Sequence, residues 1–228
     1  MTADLLQTGI YTVPDAARLT GVSSWRIRRW LKGYKFKVKH GRHRSAPVWQ
    51  GQLEPIDQSI ALGFLDLVEL RCVDAFLQAG VDWKTLRRAH DHAQAALKIS
   101  HPFCASQFKI SGREIILELP QDGDEPQLWE IASNQRVFDR ITRPFMRDLV
   151  FSQGVLPSQW WPMGTNRLVV LDPRRSFGQP IVSHSGVPTV ILDRSVKGAG
   201  SIREVAAWFE VERTEVKDAV EFEQKLAA

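Results

Sequence analysis

The sequence has few cysteines and no long apolar run. Of its 228 residues only two are cysteine, Cys72 and Cys104, which is too few for a disulfide framework or a four-cysteine metal site. No stretch approaches the roughly 18 apolar residues that cross a bilayer, because Asp66 and Glu69 interrupt the best candidate. The first residues include Asp4 and lack the basic and apolar segments of a secretory signal peptide. These absences predict a cytoplasmic protein with reduced thiols and no contact with a membrane.

Sequence motifs of the common enzyme classes are also missing. The six histidines are scattered, and the one close pair, His90 and His92, would diverge on a helix and suit a single metal ion poorly. There is no His-Glu-x-x-His zinc motif, no phosphate-binding P-loop and no Gly-x-Ser-x-Gly nucleophile elbow. The acidic loop 121–126 lacks the spacing and the closing Glu of a calcium-binding EF-hand. The sequence therefore predicts a protein that is not an enzyme, without a catalytic residue, a metal site or a cofactor.

The charge is distributed unevenly along the chain. Apolar residues make up 43% and charged residues 25%, which is ordinary for a folded domain. Residues 1–50 contain ten Lys or Arg and two acids, a net charge of +8, whereas residues 51–228 carry −4. A basic head on an acidic body favours nucleic acid as a partner of the head. The alternative is a solvated basic face that binds nothing.

The basic head has the pattern of a helix-turn-helix. Thr12 precedes Asp15 by three residues, as in a capping box, and predicts the start of a first helix. Gly21 suits the tight turn that follows, because glycine tolerates a positive φ. Ser23 or Ser24 can cap a second helix that runs to residue 31 or 32.

The second predicted helix separates apolar from basic residues. Ile27 and Trp30 fall on one face and can pack on the first helix, while the cations fall on the opposite face. A recognition helix needs this division, because phosphates and guanine edges both accept hydrogen bonds from arginine. The alternative is a helical hairpin within a larger core. The predicted DNA contacts of this helix are Ser24, Trp25, Arg26, Arg28, Arg29 and Lys32.

The segment after this helix predicts a basic β-wing. Apolar and basic residues alternate from residue 34 to 39, His40-Gly41 can turn the chain, and Val48 and Trp49 are expected in a returning strand. A basic hairpin beside the recognition helix would contact phosphates. The predicted contacts of the wing are Lys35, Lys37, Lys39, Arg42 and Arg44.

Residues 10–49 resemble the winged helix-turn-helix of MerR-type regulators. Residues 62–98 are similar to the helical pair that follows in those proteins, with a turn at residues 79–81 and Asp82 as the N-cap of the second helix. The resemblance implies a DNA-binding domain over residues 8–50 and a helical pair over 51–100 that forms a homodimer. The metal-binding cysteines of MerR proteins have no counterpart here, so metal sensing is not expected.

The middle, residues 101–171, is expected to contain β-structure. Residues 108–119 predict a hairpin around Ser111-Gly112, and residues 129–138 a second hairpin through Ser133-Asn134. A short helix, interrupted near Pro144, is expected over residues 138–149.

The tail, residues 172–228, follows a short strand at 168–171 and predicts three helices. They are expected over residues 190–197, 201–209 and 212–227. The tail resembles the antitoxin-associated domain-of-unknown-function family 433, although the family's Gly-Thr-Arg is replaced by Ser185-Gly186-Val187. The alternative is a generic three-helix unit. The matching motifs are Pro180-Ile181, Pro188-Thr189, Gly200 to Glu204, which includes a capping box from Ser201, and Val216 to Phe222.

The combination of head and tail resembles VapB-like antitoxins of type II toxin–antitoxin pairs. It implies a PIN-domain ribonuclease toxin as partner, operator DNA as ligand and repression of the shared promoter. Residues 201–228 carry seven acids and four bases, which favours contact with a basic surface. The residues predicted to bind the toxin are Arg174, Arg175, Arg194, Glu210, Glu212 and Glu215.

The predicted fold is mainly α with small β elements. It combines an N-terminal winged helix-turn-helix, a central segment with β-hairpins and a C-terminal three-helix bundle. The alternative function is a stand-alone MerR-like transcription regulator whose acidic body dimerises or senses a ligand.

Overall fold

The structure is a computed structural model that describes residues 5–38, 41–117, 131–152 and 154–227; for residues 5–6, 35–38, 41–44, 109–111, 113–114 and 117 it describes the backbone alone. The helices are α1 (Leu5–Thr8), α2 (Val13–Thr20), α3 (Ser24–Lys32), α4 (Phe64–Gln78), α5 (Trp83–Leu97), α6 (Ser106–Leu117), α7 (Gln135–Met146), α8 (Thr189–Ala199), α9 (Ile202–Trp208) and α10 (Arg213–Ala227). The strands are β1 (Tyr11–Thr12), β2 (Tyr34–Val38), β3 (Gly41–Ser45), β4 (Ala61–Leu62), β5 (Leu149–Val150), β6 (Gln159–Trp160), β7 (Val169–Val170) and β8 (Ile181–Val182). The strands form the antiparallel pairs β1–β4, β2–β3, β5–β6 and β7–β8. A mainly helical chain with short strand pairs confirms the predicted α+β class.

The chain forms two compact units. The head unit comprises Tyr11–Met146 and Gln153–Pro157, and the tail unit comprises Met1–Ile10, Arg147–Ser152 and Ser158–Ala228. Among the helices that the structure describes, none is long and apolar enough to cross a membrane. The functional division at residues 8–50, 51–100, 101–171 and 172–228 remains a prediction.

Helix α4 is the central helix of the head unit. Ten of its 15 residues are buried, including Phe64, Leu67 and Phe76. Burial on this scale is typical of a core helix and leaves little surface for a second copy of the chain. A dimer through residues 51–100 remains a prediction.

The helix-turn-helix has the predicted caps and core. Thr12 accepts a hydrogen bond from Asp15 N at 3.3 Å, and Asp15 accepts one from Thr12 N at 3.1 Å. Gly21 ends α2 at φ 75°, and Ser23 caps α3. On α3 the predicted apolar face is buried, and the Trp30 ring stacks on Trp83 of α5 at 5.6 Å. This stack adds a contact between α3 and the helical pair.

The predicted wing forms, but its returning strand is β3 and not the segment around Val48 and Trp49. Tyr34 pairs with Ser45, and Val38 pairs with Gly41. Val48 and Trp49 lie outside the described strands and are buried, and Val48 N donates to Trp30 O at 2.8 Å. The earlier return leaves Val48 and Trp49 free to pack in the core of the head unit.

The predicted hairpin over residues 108–119 is wrong, because Ser111-Gly112 lies inside helix α6. A Cβ added at Gly112 would lie 2.9 Å from the Phe108 ring, which is fully buried. This glycine therefore allows a close approach of an aromatic ring and does not form a turn.

The second predicted hairpin is also wrong within the described residues. Residues 131–133 are helical, and Asn134 caps α7 by accepting hydrogen bonds from Arg136 N at 3.1 Å and Val137 N at 3.3 Å. Asparagine is common at both turns and helix starts, so the dipeptide alone did not distinguish them. Helix α7 includes Pro144 and ends at Met146, before the predicted end at residue 149 and without an interruption at the proline. The acidic loop 121–126 and Trp129 lie outside the described residues.

The three predicted tail helices are confirmed as α8, α9 and α10. Ser201 accepts a hydrogen bond from Glu204 N at 3.3 Å, as its capping motif predicts. Their apolar faces meet in a core that includes Leu192, Val205 and Val216. Strand β8 adds Val182 to this core.

Candidate functional site

Helix α3 presents an exposed surface with an aromatic and a basic part. Trp25 is 62% exposed, and Arg28 is exposed without a hydrogen bond or ion pair to any residue that the structure describes. Ser24 lies at the first helical position and is half-buried. Lys32 is exposed at the end of the helix, with its Nζ 3.5 Å from Gln58 O. The helix therefore offers separate polar, apolar and cationic groups to a partner.

Arg26, one of the predicted DNA contacts on α3, forms an ion pair within the head unit. Its Nη1 donates to Asp74 Oδ1 at 2.7 Å, and the two side chains are 42% and 12% exposed. The pair joins α3 to α4 and neutralises one charge of the basic face. Arg26 thus holds the helix in place more than it offers a free cation.

Arg29 lies against two aromatic rings. Its guanidinium carbon is 4.3 Å from the Trp25 ring centroid and 3.5 Å from that of Tyr34. The Trp25–Arg29 spacing of four residues on a helix could have revealed the first contact. The second depends on Gly33, whose φ of 68° turns the chain from α3 into β2. Sequence reasoning therefore missed Tyr34 as part of this surface.

The wing brings cationic residues opposite one another. In the antiparallel register Lys35 pairs with Arg44, and Lys37 pairs with Arg42. Residues two apart on a strand and residues directly opposite share a face, so these four occupy one face of the hairpin. Like charges placed opposite destabilise a hairpin unless an anion compensates them. Lys39 lies outside the described residues.

Arg87 of helix α5 holds the base of the wing. Its Nη2 donates to Ala46 O at 2.6 Å and to Ser45 Oγ at 3.1 Å. This anchor joins the helical pair to the end of β3. The resemblance of residues 62–98 to a supporting helical pair is consistent with such a contact.

A network around Asp66 lies beneath this surface, and sequence reasoning missed it. Asp66 is fully buried and accepts hydrogen bonds from Trp49 Nε1 and Gly63 N at 2.8 Å and from Gln52 N at 3.0 Å. His101 Nε2 lies 2.8 Å from the same carboxylate. Burial by itself would lower the pKa of His101, but the hydrogen bond to Asp66 and the nearby negative charges raise it above the usual value.

Glu69, one helical turn after Asp66, has a second set of partners. It lies 3.0 Å from His90 Nε2 and accepts hydrogen bonds from Phe103 N at 3.2 Å and Cys104 N at 3.0 Å. Burial raises the pKa of the thiols of Cys72 and Cys104, so both are protonated at neutral pH and weakly reactive. Within the described part of the chain, no group of these residue types could hold a metal ion. The two acids that interrupt the apolar run thus stabilise the core of the head unit.

The head unit also contains a groove of about 580 Å³. Its lining includes Lys32 at the end of α3, Trp49, Glu54 and Gln94 of α5. Apolar and charged groups therefore face the same groove. Its size is within the range of small-molecule sites.

In the tail unit, Arg174 and Arg175 belong to one hydrogen-bonded loop. Arg174 donates through Nε and Nη2 to Asp172 at 3.1 Å, and burial, which raises the pKa of Asp172, is outweighed by the hydrogen bonds from Arg174 and Gln159, which lower it. Arg175 Nη1 donates to Ser183 O at 2.8 Å. The loop positions both arginines before any partner binds.

The other predicted toxin contacts divide into exposed and buried residues. Arg194, Glu210 and Glu212 are exposed. Glu215 is buried and accepts hydrogen bonds from Glu212 N at 3.1 Å and Ser185 N at 3.2 Å. The carboxylate of Glu215 thus caps α10, and a direct toxin contact through Glu215 remains a prediction.

Other acids of the tail are also bound internally. Arg167 pairs with Asp218 at 2.7 Å and with Glu221, and Thr189 donates to Glu223. The hydrogen bonds of Arg167 and Lys225 lower the pKa of Glu221 to about 2. At least four of the seven acids in residues 201–228 thus have partners within the tail unit, which weakens the argument for a basic partner.

Exposed apolar residues are a second feature that sequence reasoning missed in the tail unit. Trp208 at the end of α9 is 64% exposed, and Ile191 on α8 is 40% exposed. Large exposed apolar side chains are typical of protein contacts. The amphipathic spacing of the tail predicted its core but not which apolar residues fall outside it.

The fold of this chain is similar to that of a protein of known structure. The crystal structure of Rv2018 from Mycobacterium tuberculosis matches with a TM-score of 0.72, covers 92% of this chain and 96% of its own, and is 24% identical in sequence. The chain thus has a fold that is also found in that protein. No protein-family model matches the chain.

A relative with an assigned name is similar over almost the same length. The chain is similar to a Mycobacterium tuberculosis protein named "Putative antitoxin VapB45". The alignment spans 227 positions at 25% identity and covers 93% of this chain and 92% of that protein. This similarity supports the resemblance to VapB-like antitoxins across nearly the whole chain.

Proposed function

We propose that this protein is the antitoxin of a type II toxin–antitoxin pair. A single observation carries the proposal, namely the similarity to an antitoxin-named protein over 93% of the chain. In this role the protein has no enzymatic activity of its own and acts in the cytoplasm. It binds and neutralises a PIN-domain ribonuclease, and it represses the promoter of the pair through its basic head.

The surface of α3 and the wing supports the DNA-binding part of the proposal. Arg28, Arg29 and Lys32 extend from one helix, and four more cationic residues share one face of β2 and β3. The like charges paired across the wing would be compensated by DNA phosphates. A homodimer would match the two-fold symmetry that operators commonly have.

The tail unit supports the toxin-binding part of the proposal. It presents Arg174, Arg194 and the exposed apolar residues Ile191 and Trp208. Exposed tryptophan and arginine are the residue types that contribute most to protein interfaces. Such a combination fits a partner surface with acidic and apolar parts.

Purification from the native host tests the antitoxin proposal. The tagged full-length protein is expected to retain a PIN-type nuclease after a high-salt wash, because the proposed contact includes apolar groups that salt does not screen. Trp208→Ser should weaken this retention, whereas Lys217→Gln, an exposed change on α10, should not. A protein that elutes alone from cells that express the neighbouring gene would contradict the proposal.

The groove in the head unit favours a second candidate function. A stand-alone MerR-like regulator would use a site of about 580 Å³ beside α3 to sense a small ligand. A panel of metabolites in a thermal-shift assay, followed by promoter binding with and without each hit, separates the two. A ligand that changes promoter affinity, together with no nuclease partner, would favour the regulator.

A further inference from the structure

We infer that Trp25 and Arg29 read one thymine–guanine step in the major groove, while Arg28 contacts phosphate. The inference rests on the proposed DNA binding and assigns separate tasks to residues of one helix. It starts from the different environments of the three basic residues Arg26, Arg28 and Arg29. Arg29 alone among the three is held by ring contacts and has no hydrogen bond or ion pair with a described residue.

Arg26 is poorly placed to read a base because it is ion-paired. Its Nη1 is engaged with Asp74 of α4 at 2.7 Å, so turning both Nη groups toward a base would require breaking this ion pair within the head unit. Arg28 is at the other extreme, because it has no polar partner among the described residues and is exposed. A mobile cation suits a phosphate, which attracts charge from many directions and carries no sequence information.

Arg29 is held in position by two aromatic rings. Its guanidinium lies over Trp25 at 4.3 Å and over Tyr34 at 3.5 Å, and it has no hydrogen bond or ion pair with a described residue. Stacking on aromatic faces restricts the side chain and leaves the N–H donors at the edge of the guanidinium available. A fixed guanidinium with free donors matches the bidentate contact that arginine makes with O6 and N7 of guanine.

Trp25 is an exposed aromatic residue at the start of α3. It is the second residue of α3, is 62% exposed, and among the described residues its ring contacts Arg29. The first residues of a recognition helix are those that approach base edges. An exposed indole there would bury apolar area against the C5-methyl group of thymine, the one apolar group on the major-groove edge. Because Trp25 and Arg29 touch, the two bases they read are neighbours.

Base analogues test the inference with the unmodified full-length protein. Duplexes that the protein selects from a random 30-base-pair pool (about three helical turns) should share a thymine next to a guanine. Replacing that thymine by uracil removes only the methyl group and should lower affinity about threefold to fivefold. Replacing the guanine by 7-deazaguanine removes N7 and should lower affinity about tenfold, within the range of one bidentate contact. The same analogues elsewhere in the duplex are the control.

Variants then assign the two contacts. Arg29→Lys keeps the charge but loses the planar fork, so it should lose about tenfold in affinity, whereas Arg28→Lys should stay within about twofold. Trp25→Ala should bind thymine and uracil duplexes equally. Circular dichroism on each variant shows whether the helix is retained.

The outcomes separate this inference from the proposed function. Selected duplexes that share no thymine next to a guanine, or equal affinity for all analogues, would overturn the inference while DNA binding by the head remains. If Arg28→Lys is the damaging change, the assignment of tasks is wrong. If the wild-type protein selects no duplex at all, both the inference and the DNA-binding part of the proposed function fall.

Discussion

At the scale of single residues, function and stability are divided among side chains of similar type. Arg26, Arg28 and Arg29 are equivalent cations in the sequence, yet one is ion-paired, one is exposed without a partner among the described residues and one is stacked on rings. Likewise Glu215 is buried as a cap, whereas Glu210 and Glu212 are exposed. The tertiary surroundings of a charge therefore decide whether it can serve a partner.

The buried His101–Asp66 pair predicts a pH-dependent stability. Because the pKa of His101 is raised in the folded state, the pair contributes fully below the ordinary histidine pKa, about 6.5, and its contribution is lost as the pH rises through the raised pKa. His101→Gln should cost about 3–5 kcal/mol in acid and less in alkali. Urea denaturation at about pH 6 and about pH 9 measures the difference.

His184→Gln provides the control for this prediction, since His184 is exposed in the tail unit. It should leave the free energy of unfolding nearly unchanged at both pH values. An effect of His101→Gln that grows with pH would mean that the histidine is neutral in its pair with Asp66.

At the scale of elements, two glycines determine geometry that sequence patterns did not distinguish. Gly33 joins α3 to the wing, and a Cβ there would lie 2.0 Å from Ser45 O at a φ of 68°. Gly21 has a similar φ of 75° but no atom within 4 Å of such a Cβ. The pair therefore separates the cost of a positive φ from the cost of a backbone clash.

Gly21→Ala should cost about 1 kcal/mol from backbone conformation alone. Gly33→Ala should cost clearly more and should also weaken DNA binding, because the wing must move away from α3. Chemical denaturation and a DNA-binding assay on both variants check this. Equal losses in the two variants would contradict the close approach of β3 to Gly33.

Two helix glycines, Gly112 in α6 and Gly198 in α8, should respond to alanine substitution with opposite signs. Gly112→Ala places a Cβ 2.9 Å from the buried Phe108 ring, and overpacking of this kind costs about 1–3 kcal/mol. Gly198→Ala, in α8 with nothing within 4 Å, should stabilise by about 0.5–1 kcal/mol. Thermal unfolding of both variants tests this. A stabilising Gly112→Ala would show that Phe108 does not pack on this position.

At the scale of the whole molecule, the uneven charge predicts salt-dependent DNA binding. A head with a net charge of +8 should lose affinity steeply as salt rises, because each phosphate contact releases counterions. Arg28→Gln should reduce the slope of log affinity against log salt by about 0.9. Titrations of the full-length protein at several salt concentrations measure it, and an unchanged slope would rule out Arg28 as a phosphate contact.

The bounds of the tail unit determine which variants can test toxin binding. A cut between residues 171 and 172 passes through the tail unit and separates β7 from its partner β8, in which Val169 pairs with Val182. A fragment of residues 1–171 would thus lose neutralisation even if the toxin touched none of the removed residues. Surface variants such as Trp208→Ser avoid this difficulty.

The sequence by itself determined the features that depend on local chemistry. The caps at Thr12, Ser23 and Ser201, the three tail helices and the basic face of α3 all follow from side chains within four residues of each other. Such interactions close within one helical turn, so their spacing is visible in the sequence.

The tertiary structure alone decided the features that depend on partners distant in the chain. Asp74 lies 48 positions from Arg26, and His101 lies 35 from Asp66. In the sequence, Gly112 is compatible with a turn and with a helix. Only the structure shows that it lies in a helix against the Phe108 ring. Burial and ion pairing are set by three-dimensional neighbours, and these determined which of the predicted side chains remain available to DNA or to a toxin.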